Sequence, residues 1–202
     1  MKKIFPGLFT AAVVALFTLQ PGKDPLPIGS AIPKSDVRMK AISGKEISFN
    51  DVMNKNGLLV MFSCNTCPVV HKYESRTVEV CKKALENNIG VILLNSNEAN
   101  RGNGDSFDDM KEYAVKLGYS WNYVVDDNSA MADAFGAIRT PEIFLFDKNG
   151  KLTYHGAIDD NSNSPDDVTR KHATIAIDEQ AGGKEVSTKQ TRSVGCTIKR
   201  RS

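Results

Sequence analysis

Several features that would quickly assign a class are scarce or missing from this sequence. Charge of one sign is lacking: 26 Lys and Arg stand against 24 Asp and Glu, a formal charge of +2 in 202 residues. Such a balance calls for neither nucleic acid nor an anionic membrane surface as partner. Internal repeats are absent, and so is a glycine-rich nucleotide fingerprint, so any redox chemistry must draw on an external donor. Long apolar runs are confined to the start, where Ile4 to Leu19 follows Lys2 and Lys3. Spanning a bilayer takes ~20 residues, and this run is short for that and right for a signal-peptide core. Cysteine is sparse too, with only Cys64, Cys67, Cys81 and Cys196.

These absences leave a mostly ordinary chain. With 41% apolar residues it suits one globular domain with a substantial core. Residues 1–20 read as a signal peptide, broken by Pro21 and Gly22; an uncleaved membrane anchor is the alternative reading. Without residues 1–20 the formal charge falls to zero, since only Lys2 and Lys3 are lost. The implied compartment is oxidising, periplasmic or secreted, with no stable membrane association. Residues 21–27 form a proline-rich linker, 28–181 a domain and 182–202 a basic tail.

The informative segment is Cys64-Asn65-Thr66-Cys67-Pro68. It follows the apolar run Leu58–Phe62, a buried strand, and precedes Val69 to Leu85, read as one amphipathic helix. Two thiols on a strand-to-helix turn suit reversible disulfide chemistry. The N–H groups and positive end of a helix favour a thiolate on the first cysteine. Thr140-Pro141 sits just before the strand Ile143–Phe146; a cis bond there places backbone against the cysteines. The alternative is a structural bridge between Cys64 and Cys67.

Elsewhere the pattern alternates. Val37–Ala41 and Glu46–Phe49 flank Ser43-Gly44-Lys45 as a hairpin. Val91–Leu94 is a second buried strand, Asp105 or Ser106 caps a helix, and Tyr123–Val125 is a short strand. Ser129–Phe135 reads as a short helix, Leu152–His155 as a returning strand and Val168–Gln180 as a closing helix. The result is an α/β plan with a mixed sheet.

Phe62-Ser63-Cys64-Asn65-Thr66-Cys67-Pro68, Arg139-Thr140-Pro141 and the turn Asp147-Lys148-Asn149-Gly150 together resemble the thioredoxin superfamily, over about residues 28–180. The entry Ile28-Gly29-Ser30-Ala31-Ile32-Pro33 and the leading hairpin are similar to its redoxin branch. Ile158-Asp159-Asp160 and Gly195-Cys196-Thr197-Ile198-Lys199 resemble a peroxiredoxin-like subgroup with a C-x-x-C motif. The resemblance implies a thioredoxin-like fold, a central mixed sheet flanked by helices with an N-terminal β-hairpin. It implies Cys64 as nucleophile, Cys67 as resolving thiol and Pro141 as a cis-proline. Thr140 and Pro141 would support extended substrate backbone. The implied activity is thiol-disulfide exchange on protein or small-molecule disulfides, with an external thiol reductant and no cofactor.

Two rival activities are weighed against the same residues. A peroxiredoxin has threonine three residues before a peroxidatic cysteine at the position of Cys67; here Cys64 stands there. Val60 replaces that motif's proline, and the site arginine would fall near Pro141, with Arg139 two residues away. Copper-delivery relatives carry C-x-x-x-C-Pro, one residue longer, and a histidine near Thr140; neither is present. Zinc would have Cys64, Cys67, His71 and Cys81, which lack paired spacing and would be scattered by a helix. Asp159, Asn161 and Asn163 have the opening spacing of a calcium loop, but Arg170 stands where its bidentate acid belongs, so the segment reads as a polar surface loop.

Of the remaining candidates, His71 shares a helix face with Cys67 and reads as a half-exposed surface residue, as does His155 on the returning strand. Cys81 falls on the apolar helix face as a buried, inert thiol. Cys196, on the basic tail, is a third redox cysteine, a static partner of Cys81, or a free thiol.

Overall fold

The structure, a computed structural model, describes residues 24–201. The reading of residues 1–20 as a signal segment lies outside the described residues. No helix among the described residues is long and apolar enough to cross a membrane.

The chain opens on two-residue strands β1 (Met39–Lys40) and β2 (Glu46–Ile47), paired antiparallel. The hairpin is shorter than its sequence suggests. Ser48 caps a short helix α1 (Phe49–Val52) in a capping box with Asp51, which takes Phe49 out of the strand. Then follow β3 (Leu58–Ser63), α2 (Pro68–Lys72), α3 (Glu74–Glu86) and β4 (Gly90–Asn95). Next come α4 (Phe107–Lys116), β5 (Asn122–Val125), α5 (Ala130–Phe135), β6 (Arg139–Thr140) and β7 (Glu142–Phe146). The last elements are β8 (Leu152–Gly156), α6 (His172–Ala181) and β9 (Cys196–Thr197).

Five strands make the central sheet in the order β5-β4-β3-β7-β8. β3 runs parallel to β4, as β4 does to β5; β7 is antiparallel to both β3 and β8. This is the expected mixed sheet. β3 and β4 are buried throughout, as continuous apolar runs between two covering layers require. Alternation along the strands divides the core into two halves. Leu59, Met61, Leu93, Ile143 and Leu145 pack with Val80, Cys81 and Ala84 of α3 and with Ala176 and Ile177 of α6. Val60, Phe62, Leu94 and Phe144 pack on the other face with Phe49, Phe135 and Ile198. Burying each of these large side chains contributes about 1.5–3 kcal/mol.

Three further departures from the sequence reading concern helix bounds and burial. The helix expected from Val69 to Leu85 is broken at Tyr73, whose backbone sits at φ −98°, ψ 0°. Its ring is buried, and its hydroxyl donates to the Asp159 carboxylate at 3.0 Å. Asp159, read as part of a polar surface loop, is buried against Arg76 at 2.7 Å. Val168–Lys171 stays outside the closing helix, which starts at His172.

The tail docks on the domain. Val186, Ser193 and Ile198 are buried. Gln190 bridges to His155 in parallel, and β9 pairs antiparallel with β6. His155 is consequently an interior residue: it stacks on Phe144 and its Nε2 lies 2.8 Å from Glu142 Oε1.

Candidate active site

β3 delivers Cys64 at the end of the sheet, and Pro68 opens α2 at a position where a missing N–H costs nothing. Cys67 is therefore the N-cap of α2. The turn between the cysteines is fastened from below by Asp105, which is wholly buried. Its Oδ1 accepts from the Asn65 N–H at 2.7 Å and from Asn95 Nδ2 at 2.7 Å. Its Oδ2 accepts from the Thr66 hydroxyl at 2.7 Å and from Asn97 Nδ2 at 3.0 Å. The Tyr123 hydroxyl donates to Asn65 Oδ1 at 2.9 Å, and His71 Nε2–H donates to the Asn65 carbonyl at 2.5 Å. In the sequence Asp105 reads only as a helix cap. Ser106 takes that role in a capping box with Asp109 and leaves Asp105 to the cysteine turn.

Thr140-Pro141 is cis, and Thr140 touches both cysteines of the motif. Its Oγ1 is 3.3 Å from Cys64 Sγ, and its carbonyl oxygen is 3.5 Å from Cys67 Sγ. Glu142 supports this segment: Oε2 accepts from the N–H groups of Ile138 and Arg139 at 2.9 and 3.0 Å.

The disulfide in the structure joins Cys67 to Cys196, with Cα atoms 6.1 Å apart, and Cys64 is a free thiol. The sequence pointed instead to a Cys64–Cys67 pair. The bridge follows from register, because Thr140 and Cys196 face each other across β6 and β9. Cys64, Cys67 and Cys196 thus meet in one small apolar cluster with Val69 and Val70. Cys81 lies elsewhere, fully buried in α3, and burial pushes its thiol far up, as an inert core thiol should be.

The expected activation of Cys64 by a helix start is not what the structure shows. Burial raises the Cys64 thiol above its ordinary range. The Thr140 hydroxyl lowers it, the Asp105 carboxylate raises it, and the N–H groups of Cys67 and Thr66 lower it. α2 begins only at Pro68, so its positive end serves Cys67 more directly. Among the described residues, no group of three or more His, Cys, Asp or Glu is placed to hold a metal.

One expected result follows from Asp105. Asp105→Asn removes a negative charge that opposes the Cys64 thiolate, so the Cys64 pKa should fall and thiolate absorbance in the ultraviolet should appear at lower pH. An unchanged titration curve in the folded variant would show that the carboxylate does not act on Cys64.

A five-stranded mixed sheet, a cysteine pair after β3 and a cis-proline before β7 define a protein of the thioredoxin superfamily, redoxin branch. Comparison with protein families matches residues 28–155 to the AhpC/TSA family, and the chain belongs to it. No curated protein matched the chain. Among solved structures, it is similar to an uncharacterized conserved protein from Geobacillus kaustophilus, at 30% identity and TM-score 0.80, covering 87% of this chain and 93% of that one. A hypothetical protein from Sinorhizobium meliloti 1021 is similar at 27% identity and TM-score 0.81, covering 89% and 97%. The thioredoxin domain of a thiol-disulfide oxidoreductase from Bacteroides vulgatus shares the fold at 20% identity and TM-score 0.53, covering 64% and 88%.

Proposed function

We propose that the protein is a thiol-disulfide oxidoreductase working through Cys64, Cys67 and Cys196. The observation that carries this reading is the meeting of the three sulfurs beside Thr140 and cis-Pro141. Cys67, bonded to the tail cysteine, is the sulfur that exchanges with an incoming one. Cys64, buried beneath it, resolves. In the reduced protein the Cys67 thiolate attacks a substrate disulfide and expels one substrate thiolate. Cys64 then attacks Cys67, forms the Cys64–Cys67 disulfide and releases the second substrate thiol. Two protein thiols are oxidised and one external disulfide is reduced; an external thiol donor returns the electrons. These roles reverse the order suggested by the motif: Cys67 caps α2 and is the sulfur that the tail cysteine engages, while Cys64 is the free thiol behind it. Cys196 can take the substrate's place, and attack by Cys64 on the Cys67–Cys196 bridge frees the tail thiol without net oxidation. The oxidising compartment, periplasmic or secreted, is part of this proposal and is supported by the Ile4–Leu19 run.

A thiol peroxidase is the second reading. Cys67 occupies the peroxidatic position of the resembling peroxiredoxins, and its bridge to a cysteine 129 residues away is the observation in its favour. Against it, no arginine or threonine is placed by the motif to hold a peroxide at Cys67. Stopped-flow oxidation of the reduced protein separates the two. Rapid loss of thiols with a small disulfide and slow loss with hydrogen peroxide is the expected result. The opposite order would install the peroxidase.

A further inference from the structure

A cavity of about 250 Å³ lies between the docked tail and the domain. At about 30 Å³ per water it has room for a tetrahedral anion and several waters. Its domain wall includes Arg139, Glu142 and His155, and its tail wall Arg192 and Ser193. Two of these residues hold buried polar atoms that no protein group meets, His155 Nδ1 and Ser193 Oγ. His155 is 4% and Ser193 7% exposed, so bulk water does not serve them. Buried polar atoms are nearly always paired, and two without a protein partner on one cavity mark it as a binding site.

The remaining groups set its chemistry. His155 Nε2 faces Glu142 Oε1 at 2.8 Å, so this nitrogen carries the proton and donates. Nδ1 of the neutral ring then offers only a lone pair and calls for a donor, whereas the Ser193 hydroxyl can give its proton to an acceptor. The Glu142 carboxylate is engaged already, since it also accepts from the N–H groups of Ile138 and Arg139. Arg139 Nη1 donates to the Gly195 carbonyl at 3.0 Å. Arg192 is exposed, and its guanidinium has no partner among the described residues. Two guanidinium charges against one carboxylate leave the cavity positive, which suits an anion.

We propose that this cavity binds a small oxyanion that still carries a proton, of the hydrogen phosphate or hydrogen carbonate kind, and that the bound anion clamps the tail to the domain. Its O–H donates to His155 Nδ1. Its bare oxygens accept from the Ser193 hydroxyl and from the Arg192 and Arg139 guanidiniums, the latter as charge-assisted bonds. A fully deprotonated oxyanion such as sulfate leaves Nδ1 unpaired. Arg192 and Ser193 lie just upstream of Cys196, next to Thr191, whose N–H donates to the His155 carbonyl at 3.0 Å. The complete ligand set exists only while the tail is docked, so the anion favours docking by mass action. Docking holds Cys196 beside Cys67 and limits the access of an outside sulfur to Cys67. That last consequence rests on the thiol-disulfide reading; the site itself does not.

The first test is calorimetric titration of the full-length protein with inorganic phosphate and, separately, with hydrogen carbonate, at about pH 8, where an ordinary imidazole is neutral. At least one of the two should bind once per chain with a Kd of about 1 mM or tighter. Sulfate should bind at least about tenfold more weakly. Arg192→Gln, a change at an exposed residue, should weaken binding at least about tenfold, and Ser193→Ala should weaken it as well. Lys184→Gln, at a separate cavity, should not. The second readout is hydrogen exchange in the reduced protein. The Thr191 and Ile198 N–H groups bond to the His155 and Ile138 carbonyls and are released when the tail lifts. With the anion at about ten times its Kd, these two amides should exchange about tenfold more slowly, and Arg192→Gln should cancel the effect. Failure of both anions to bind, or binding that Lys184→Gln removes and Arg192→Gln keeps, means that water fills this cavity, and overturns the site. Equal binding of sulfate overturns the requirement for a protonated anion. Binding with unchanged exchange of the two amides overturns the clamp. None of these results alters the rate of exchange with a small disulfide, on which the thiol-disulfide reading stands or falls.

Discussion

Cys67→Ser should abolish exchange with any disulfide, on the order of a thousandfold or more in rate, because a neutral hydroxyl cannot replace the thiolate that forms the first covalent bond. The three remaining cysteine variants should separate cleanly from it. Cys64→Ser keeps the first attack and leaves resolution to Cys196 alone, so mixed disulfides should accumulate on Cys67, and be found there by peptide mapping without reductant, only when Cys196 is replaced as well. In the absence of substrate the same variant should hold Cys67–Cys196 closed, since the sulfur that would reopen it is gone. Cys196→Ser should still reduce a small disulfide, because Cys64 and Cys67 are both intact. Cys81→Ser should leave the rate unchanged, Cys81 being buried in α3 away from the three clustered sulfurs. Should Cys64→Ser rather than Cys67→Ser remove the initial attack, the order of the two cysteines would return to the one that the motif suggests.

How much of this was legible in the sequence depends on the distance over which each residue acts. The strands were readable because burial on two faces demands continuous apolar runs, as in Leu58–Phe62 and Ile143–Phe146. The cysteine turn and the cis bond before Pro141 were readable because their chemistry is local. The partner of Cys196 was not. Nothing near it signals Cys67, and the pairing exists only because Ile198 and Arg200 anchor the tail on the domain and bring Cys196 opposite Thr140. Asp105 was hidden for a similar reason: Asp105-Ser106 reads locally as a cap, and only the fold turns the first of the two toward Asn65 and Thr66. His155 and Asp159 read as surface residues because a polar side chain gives no local sign of a buried partner. Glu142, across the turn from His155, and Arg76, 83 residues from Asp159, supply it.

That second partnership carries the largest expected effect on stability. Asp159→Ala should destabilise the protein by about 3–5 kcal/mol, because it strands the Arg76 guanidinium in the interior. The side chains of Arg76 and Asp159 are 7% and 2% exposed, so water offers little compensation. Asp159 Oδ2 accepts from Arg76 Nη1 at 2.7 Å, while Oδ1 accepts from the Tyr73 hydroxyl at 3.0 Å and the Asn161 N–H at 3.0 Å. The guanidinium also lies over the Tyr73 ring, 3.8 Å from its centre, and donates to the carbonyls of Asn161 and Lys72 at 2.6 and 3.0 Å. These contacts meet at the break between α2 and α3, so they fix the helix whose first turn Cys67 caps to the end of β8. Loss of the carboxylate should therefore lower Tm by on the order of 10 °C and also slow disulfide exchange. Arg76→Met combined with Asp159→Leu should recover most of the stability, since removing both charges ends the desolvation cost; Arg76 Nε already lacks a partner. Exchange activity need not recover with it, because Tyr73 and Asn161 would still have lost their acceptor. Denaturant melts of the two single variants and the pair give the coupling directly. A cost below about 1 kcal/mol for Asp159→Ala would mean that water reaches the guanidinium and that the pair does not hold α3 to β8.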